Sequence, residues 1–400
     1  MTLSTLAAIG LAFSLDLLIG EPPRQVHPVA WFGTLVAAVD REWSESRRIT
    51  QLIGGVIAIV LPLIAATVVG LTVAAGFAIY PTLGAALAAI VLFLTMSLRM
   101  LVDLTRAVID ATGGEHRGGS VTDGGGTIAS GDGRVVDRMG SDLEDARAEA
   151  RGLVGRETGD LSAPEIRSAA IESAAENLAD GFASTLLPFA LLAPVSLPLA
   201  AAAAAWVKAV NTLDSMLGYR SKPIGTASAR LDDAVMYLPA RITALCLALA
   251  AFRPGSLVAA REWARVPASP NSGWPMATLA CALGVRLEKR GAYVLNPEAD
   301  LPSVTDGHRA VSTVGLAATL LVAIAAALAV YAPALESLFG SLAVVALAFA
   351  ADAVVSLPDV FYNALESTGE LTHRSRNSIE LSVRDMLSTV PAAMDVGSIT

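Results

Sequence analysis

Three carboxylates recur at helical spacing in the segment IESAAENLADG. Glu172, Glu176 and Asp180 fall at intervals of four, with Asn177 beside them. On an α-helix that spacing puts all three on one face. Like charges at i,i+4 destabilise a helix unless a divalent cation, an arginine or a cationic substrate offsets them. A solvated acidic face is the plain structural explanation. Here, however, the face runs straight into an apolar stretch, where uncompensated charge is costly. A second segment, KAVNTLDSMLGYR, repeats polar groups every three residues: Lys208, Asn211 and Asp214, followed by Tyr219 and Arg220. Interfacial anchoring accounts for Lys208 and for Trp206 in the aromatic belt. It accounts poorly for Asn211 and Asp214, which suit a binding wall. A third, GTASARLDDAVMYLPARITAL, holds Ser228, Arg230, Asp232, Asp233 and Arg241. Adjacent carboxylates point to different sides of a helix, so at most one of Asp232 and Asp233 faces a given site. Arg241 lies inside an apolar run and is expected to pair with Asp233 or Asp214, in a functional site or in a structural ion pair.

Two further segments frame these. EPPRQVHPVAWFG follows Asp16 and carries Glu21, Arg24, His27 and Gly33 in a proline-ordered turn. His27 is a candidate base or ligand, with a structural role as the alternative. In SPNSGWPMATLACALG, Asn271, Ser272 and Gly273 form a turn before a helix with Pro275 near its start. Free N–H groups at such a start can hold an anion. Acidic patches together with arginines and an anion-binding helix start suit Mg2+–phosphate chemistry, in which carboxylates hold the metal and cationic donors hold the phosphates. Two other classes stay open. One is a Mg2+-dependent membrane prenyl- or phosphatidyl-transferase, echoed by Asn211-x-x-Asp214 and Asp232-Asp233. The other is a transporter, which broken helices would suit and the lack of a clear internal repeat would not.

The elements that position these residues are membrane helices. Hydrophobic residues make up 54% of the 400 and charged residues only 16%, against about a quarter in soluble chains. A span needs roughly 20 apolar residues, and runs at 52–80, 83–98, 182–206, 235–251, 311–331 and 338–355 reach or approach that length. Backbone groups in lipid must be satisfied internally, so the runs read as helices. Pro188, Pro194 and Pro198 interrupt 182–206, which therefore spans or re-enters. Residues 3–20 lack a basic leader and a cleavage site and are expected to form a retained helix. The class is all-α: a polytopic, integral membrane helical bundle with polar helical loops. A membrane-embedded catalytic domain is expected over residues 1–357, with a polar tail at 358–400. The larger loops are expected on the cytoplasmic side of the cell membrane.

Within the loops, Gly113–Gly133 is a Gly-, Ser-, Thr- and Asp-rich linker. It has no lysine, and no Walker-type G-x-x-x-x-G-K-[ST] exists anywhere in the chain. Residues 141–156 have helical periodicity, and Ser162 with Glu165 forms a capping-box signature opening the next helix. Cys246 and Cys281 have no CxxC context and read as buried thiols. A formal charge of -9 argues against a nucleic-acid partner.

The segments LDLLIGEPPRQVHPVAWFG, VGRETGDLSAPEIRSAAIESAAENLADG, KAVNTLDSMLGYR, SARLDDAVMYLPARITAL and NSGWPMATLACALGVRLEKRGAYVLN together resemble the CobD/CbiB family of cobalamin biosynthesis, in order and in spacing. The resemblance runs to about residue 300. Glu21 stands where that family commonly has aspartate, Met276 where a glutamate is frequent, and Gly113–Gly133 looks like an insertion. The resemblance implies an ATP-dependent amide ligase. Such enzymes join a propionate carboxylate of adenosylcobyric acid to (R)-1-aminopropan-2-ol or its O-phosphate, through an acyl phosphate attacked by the free amine, giving adenosylcobinamide or its phosphate. It implies ATP and Mg2+, corrinoid and amino-alcohol substrates, a lipid bilayer, and docking to other late-pathway enzymes. The resulting expectations make Glu172, Glu176, Asp214 and Asp233 catalytic. His27, Asn177, Lys208, Asn211, Arg230, Arg241 and Asn271 would bind substrates, and Glu172, Glu176, Asp180 and Asp232 would hold the metal.

Overall fold

The computed structural model describes residues 2–41, 43–44, 46–113, 159–219 and 221–331. Most of the Gly-rich linker, the helix expected at 141–156, the run at 338–355 and the domain boundary at 357 lie outside them. Helix follows helix: α1 (Thr2–Ile19), α2 (Pro28–Val39), α3 (Arg47–Ile79), α4 (Pro81–Thr95), α5 (Leu98–Ala111) and α6 (Ala163–Asn177). A π-helical turn, Leu178–Ala183, leads into α7 (Ser184–Leu192) and α8 (Leu197–Leu217). A 3₁₀ turn (Pro223–Gly225) opens α9 (Thr226–Val235), then come α10 (Tyr237–Ala250), the one-turn α11 (Ser256–Ala259) and α12 (Gly273–Leu283). A two-stranded antiparallel hairpin, β1 (Leu287–Lys289) with β2 (Tyr293–Leu295), precedes α13 (Val304–Tyr331). The all-α membrane bundle expected from the sequence is the fold observed, with that hairpin as its addition.

Among the described residues, three helical stretches are long and apolar enough to cross a membrane: α3, the α4–α5 stretch Pro81–Ala111, and α13. This is a membrane protein. The run at 235–251 forms the second arm of a helix pair, Pro223–Val235 and Tyr237–Ala250, bent by 48°. The run at 182–206 is not one segment. Its prolines divide it into the nine-residue α7 and the first half of α8, with a turn between them. Ser196 caps α8 through its hydroxyl, and Leu197-Pro198 follows, with proline where a missing N–H costs nothing.

Side-chain size decides which faces meet. The buried face of α3 is Gly54, Ala58, Pro62 and Ala66, and the buried face of α8 includes Ala200, Ala201, Ala204 and Ala205. Many large residues of α3, among them Val60, Leu63, Ile64, Val68 and Leu71, are exposed. Lipid tails are as apolar as leucine, so burying leucine gains little there. Close backbone approach through small residues gains dispersion contacts instead. Two glycines tie this wall to the site. A Cβ on Gly54 would strike the Ile224 carbonyl, and one on Gly225 would strike that of Leu217. The start of α3, the 3₁₀ turn and the end of α8 are thereby held in contact.

Helix α6 differs from these. It is buried nearly all round, yet Glu165, Arg167, Ser168, Glu172 and Ser173 are among its buried residues. Glu165 accepts hydrogen bonds from the Ser162 backbone and hydroxyl at 2.8 and 2.6 Å, the capping interaction read from the sequence. Arg290 in the hairpin pairs with the same carboxylate. Arg167 donates to the carbonyls of Thr112 and Pro302, joining the end of α5 to the approach to α13. Buried polar groups are tolerated when bonded in this way.

Candidate active site

Carboxylates from α6, α8, α9 and the π-helical turn lie within electrostatic reach of one another. Asp180 is the junction. It lies within electrostatic reach of Glu176, Asp232, Asp214 and Lys208, which come from α6, α9 and α8. Glu176 in turn feels Glu172, Lys289 and Asp214, and accepts a hydrogen bond from Ser272. Asn211 hydrogen-bonds the Asp232 carboxylate. The sequence expectation of a single acidic helix face holds for Glu172 and Glu176, both on α6. Asp180 sits beyond the end of α6, in the π-helical turn. Such wide turns are frequent at functional sites, and this one still brings Asp180 to Glu176.

Burial, and next the charge of Glu172, raises the pKa of Glu176. Burial, and next the charge of Glu176, holds that of Asp180 well above the usual carboxylate range. Asp214 is raised by burial and by Asp233. Lys208 lines an apolar recess of about 120 Å³ with Val29, Phe32, Val69, Leu94 and Ala205, and its electrostatic neighbours are Glu21 and Asp180. Carboxylates outnumber cations in this cluster, so a bound cation would relieve it.

Among the described residues, no three Asp, Glu, His or Cys side chains form a cage for a metal ion. Mg2+ rarely uses such a cage. It usually takes one or two carboxylates and keeps water or phosphate oxygens for the rest. The donors present are all oxygens, and Asp232 Oδ1 is buried with no hydrogen-bond partner. That orphaned atom fits a hard cation.

A second layer orients the first. Glu172, 4% exposed, accepts hydrogen bonds from Ser168 at 3.0 Å and from the Tyr293 hydroxyl at 2.7 Å. Ser168 also accepts the Glu288 N–H at 2.8 Å. Met276 Sδ lies 3.8 Å from the same tyrosine oxygen. The hairpin therefore supplies Tyr293 and Lys289 to the site. Neither was singled out in the sequence, because strands of three residues carry little periodic signal. Gly291, at φ +71°, makes its turn.

Several expected site residues are employed elsewhere. Arg241 pairs with neither Asp233 nor Asp214. Its guanidinium donates to Asn271 Oδ1 and to the carbonyls of Tyr237 (2.8 Å) and Pro270 (3.2 Å). It also stacks 3.7 Å from the Tyr237 ring centroid, which lies one turn away on the same helix. Asn271, 2% exposed, donates to the Asp233 carbonyl at 2.7 Å. Asn271 thus bridges Arg241 to the backbone of α9, a joint between the α12 entry and the α9–α10 bend. The Asp233 side chain accepts from Ser269 at 3.4 Å. His27 caps α2, its Nδ1 accepting the Val29 N–H at 3.2 Å, and burial lowers its pKa. Asn177 turns its amide back onto Ser173. Arg230 is exposed on α9. The structure brings together Glu172, Glu176, Asp180, Lys208, Asn211, Asp214 and Asp232, with Asp233 as the neighbour of Asp214.

Every segment of this cluster lies inside a stretch that matches one family model, "CobD/Cbib protein", over residues 9–119 and 124–314. The chain belongs to the CobD/CbiB family. A probable cobalamin biosynthesis protein CobD of Methanothermobacter thermautotrophicus is 35% identical over 74% of this chain and 89% of its own. The cobalamin biosynthesis protein CobD of Klebsiella pneumoniae is 33% identical over 79% and 92%. That of Rhodobacter capsulatus is 33% identical over 72% and 83%. No solved structure matches. The family model breaks only between residues 119 and 124, inside the Gly-rich stretch.

Proposed function

We propose that this CobD/CbiB protein is a multi-pass cell-membrane enzyme of cobalamin biosynthesis. Its reaction is ATP-dependent formation of an amide between a propionate carboxylate of adenosylcobyric acid and (R)-1-aminopropan-2-ol or its O-phosphate. The observation that supports it most is the junction at Asp180, where carboxylates from α6, α8 and α9 meet one lysine. Amide formation needs an unprotonated amine, and an amine near neutrality is mostly protonated. A carboxylate with a raised pKa is a better proton acceptor than an ordinary one. Glu176 and Asp214 fit that role, since both are raised by burial and by neighbouring charge. Glu172, held by Ser168 and Tyr293, keeps Glu176 raised and fixes its surroundings. Asp232, with Asp180 or Glu176, would hold Mg2+, and Lys208 would meet phosphate oxygens. Mg2+ and ATP supply the activation that turns the substrate's carboxylate oxygen into a leaving group. The exposed Lys289 and the hairpin edge would meet the corrinoid, which is too large for the 120 Å³ recess beside Lys208. Other late-pathway enzymes are the proposed docking partners at the membrane.

The test is a ligase assay on the full chain purified in detergent. Adenosylcobyric acid, aminopropanol or its phosphate, and Mg-ATP are supplied, and the corrinoid product is followed by mass spectrometry. Wild type is expected to form product and Glu176→Gln to lose most of it. Product from both would keep the ligase and remove Glu176 from its chemistry. No product from folded wild type, over a range of salt, would overturn the reading in favour of a transferase or a transporter.

A further inference from the structure

A polar cavity lies at the corner where α2 ends and α3 begins, and no part of the reaction above uses it. Its volume is about 470 Å³, within the usual range of roughly 300–1,000 Å³ for small-ligand pockets. The charged residues lining it are Asp40, Arg41, Arg47 and Lys222, with hydroxyls from Ser44 and Ser221. Asp40 is spent on Lys222, whose ammonium lies 2.6 Å from its Oδ2. Among the described residues neither Arg41 nor Arg47 has a carboxylate partner. Arg41 lies over the Trp43 ring, 4.2 Å from its centroid. The cavity is therefore cationic in a chain whose net charge is -9.

The position of Arg47 adds a second argument. It opens α3, with Arg48 next to it and no acidic residue in the first turn. The N-terminal end of a helix carries partial positive charge, so cations there are unfavourable unless an anion is present. Arginines and serines lining one space have the donors that suit the oxygens of a phosphate. Because α3 is long and apolar enough to cross a membrane from Arg47 onward, the cavity sits at the end of that stretch. Lys222 also donates to the Met216 carbonyl at 3.2 Å, joining the cavity to the last turn of α8, two residues past Asp214.

We propose that this corner binds a phosphate group, held by Arg41 and Arg47, at the membrane boundary. Its source is either an anionic phospholipid headgroup or a soluble phosphate, and the site is separate from the carboxylate junction. The test measures binding and does not depend on amide formation. The full chain is placed in nanodiscs of phosphatidylcholine alone, or of phosphatidylcholine with phosphatidylglycerol. Thermal unfolding is followed with and without inorganic phosphate. Stabilisation by inorganic phosphate in phosphatidylcholine discs assigns the soluble source, and stabilisation by phosphatidylglycerol alone assigns the lipid. In either case the Arg41→Gln/Arg47→Gln double variant is expected to bind at least about tenfold more weakly, while Arg253→Gln, on an exposed residue elsewhere, is expected to match wild type. Should the double variant not fold, Asp40→Asn serves. It frees Lys222 and is expected to tighten phosphate binding; an unchanged response would count against the site. A wild type indifferent to both phosphate and phosphatidylglycerol, or a double variant indistinguishable from it, would overturn the proposal.

Discussion

The two halves of α8 are one continuous helix with opposite jobs. From Ala200 to Ala205 it is all alanine and packs its buried face on the small residues of α3. From Lys208 to Asp214 it turns a lysine, an asparagine and a carboxylate toward α6 and α9. The first half gains stability from close approach, with no polar atom to satisfy. The second gives stability away, because buried like charges oppose one another until a cation joins them. A rigid, tightly packed half is what allows the strained half to keep its geometry, as preorganised sites require. The same substitution logic should therefore read out differently at the two ends.

The largest effect is expected at the polar half. If Asp214 accepts the proton of the amine, Asp214→Asn lowers turnover by about 10²–10⁴-fold, the usual contribution of a general base. Unfolding in detergent should be unchanged or slightly harder, since one of several mutually repelling carboxylates is gone. A stable but fully active variant would take Asp214 out of the chemistry. At the packed half, Ala204→Leu should do the reverse. Ala204 is fully buried, and overpacking such a position costs about 1–3 kcal/mol. Unfolding in detergent should show the loss, while turnover per folded molecule holds. An equal fall in turnover would erase the distinction between the halves.

Smaller effects sharpen it. Tyr293→Phe removes a hydrogen bond to the buried Glu172 carboxylate, and leaving such a group short of a partner costs about 1–3 kcal/mol. The more telling readout is the pH–rate profile. An altered Glu172 would shift the acidic limb of the profile through Glu176, whereas a merely structural tyrosine would change stability and leave the profile in place. The pH dependence of stability itself has a defined sign. The pKa of Glu176 is raised above its ordinary 4.5 in the folded protein, so between those values the folded state holds more protons than the unfolded. Stability should therefore fall as pH rises through that window and recover as pH drops, by up to about 1.4 kcal/mol per pH unit for one proton. Glu176→Gln should flatten that slope, and Mg2+ should oppose it. A stability that rises with pH across the window would contradict the raised value.

The sequence made the acidic motifs legible because helical spacing is a local property. Glu172 and Glu176 share a face simply by lying four apart on α6. The same reasoning found the capping of α6, since Ser162 and Glu165 are only three residues apart. It failed for Arg241, whose expected partners were chosen by charge. The residues that reach it, Asn271 and the Pro270 carbonyl, arrive from a distant turn, and Tyr237 competes from its own helix. For 182–206 the prolines were legible as interruptions, and the structure ends one helix and begins another there. The hairpin that brings Tyr293 and Lys289 was missed because three-residue strands carry little periodic signal.

By itself, then, the sequence determined the class and the chemistry on offer. Long apolar runs dictate helices, because lipid offers the backbone no other partner, and the polar groups can only gather where those runs stop. Which polar groups meet was decided by the tertiary structure alone. Small faces on α3 and α8, the π-helical turn at Asp180 and the bend between α9 and α10 set directions that no local spacing encodes. Charges from segments far apart in the chain therefore became neighbours only when the helices packed.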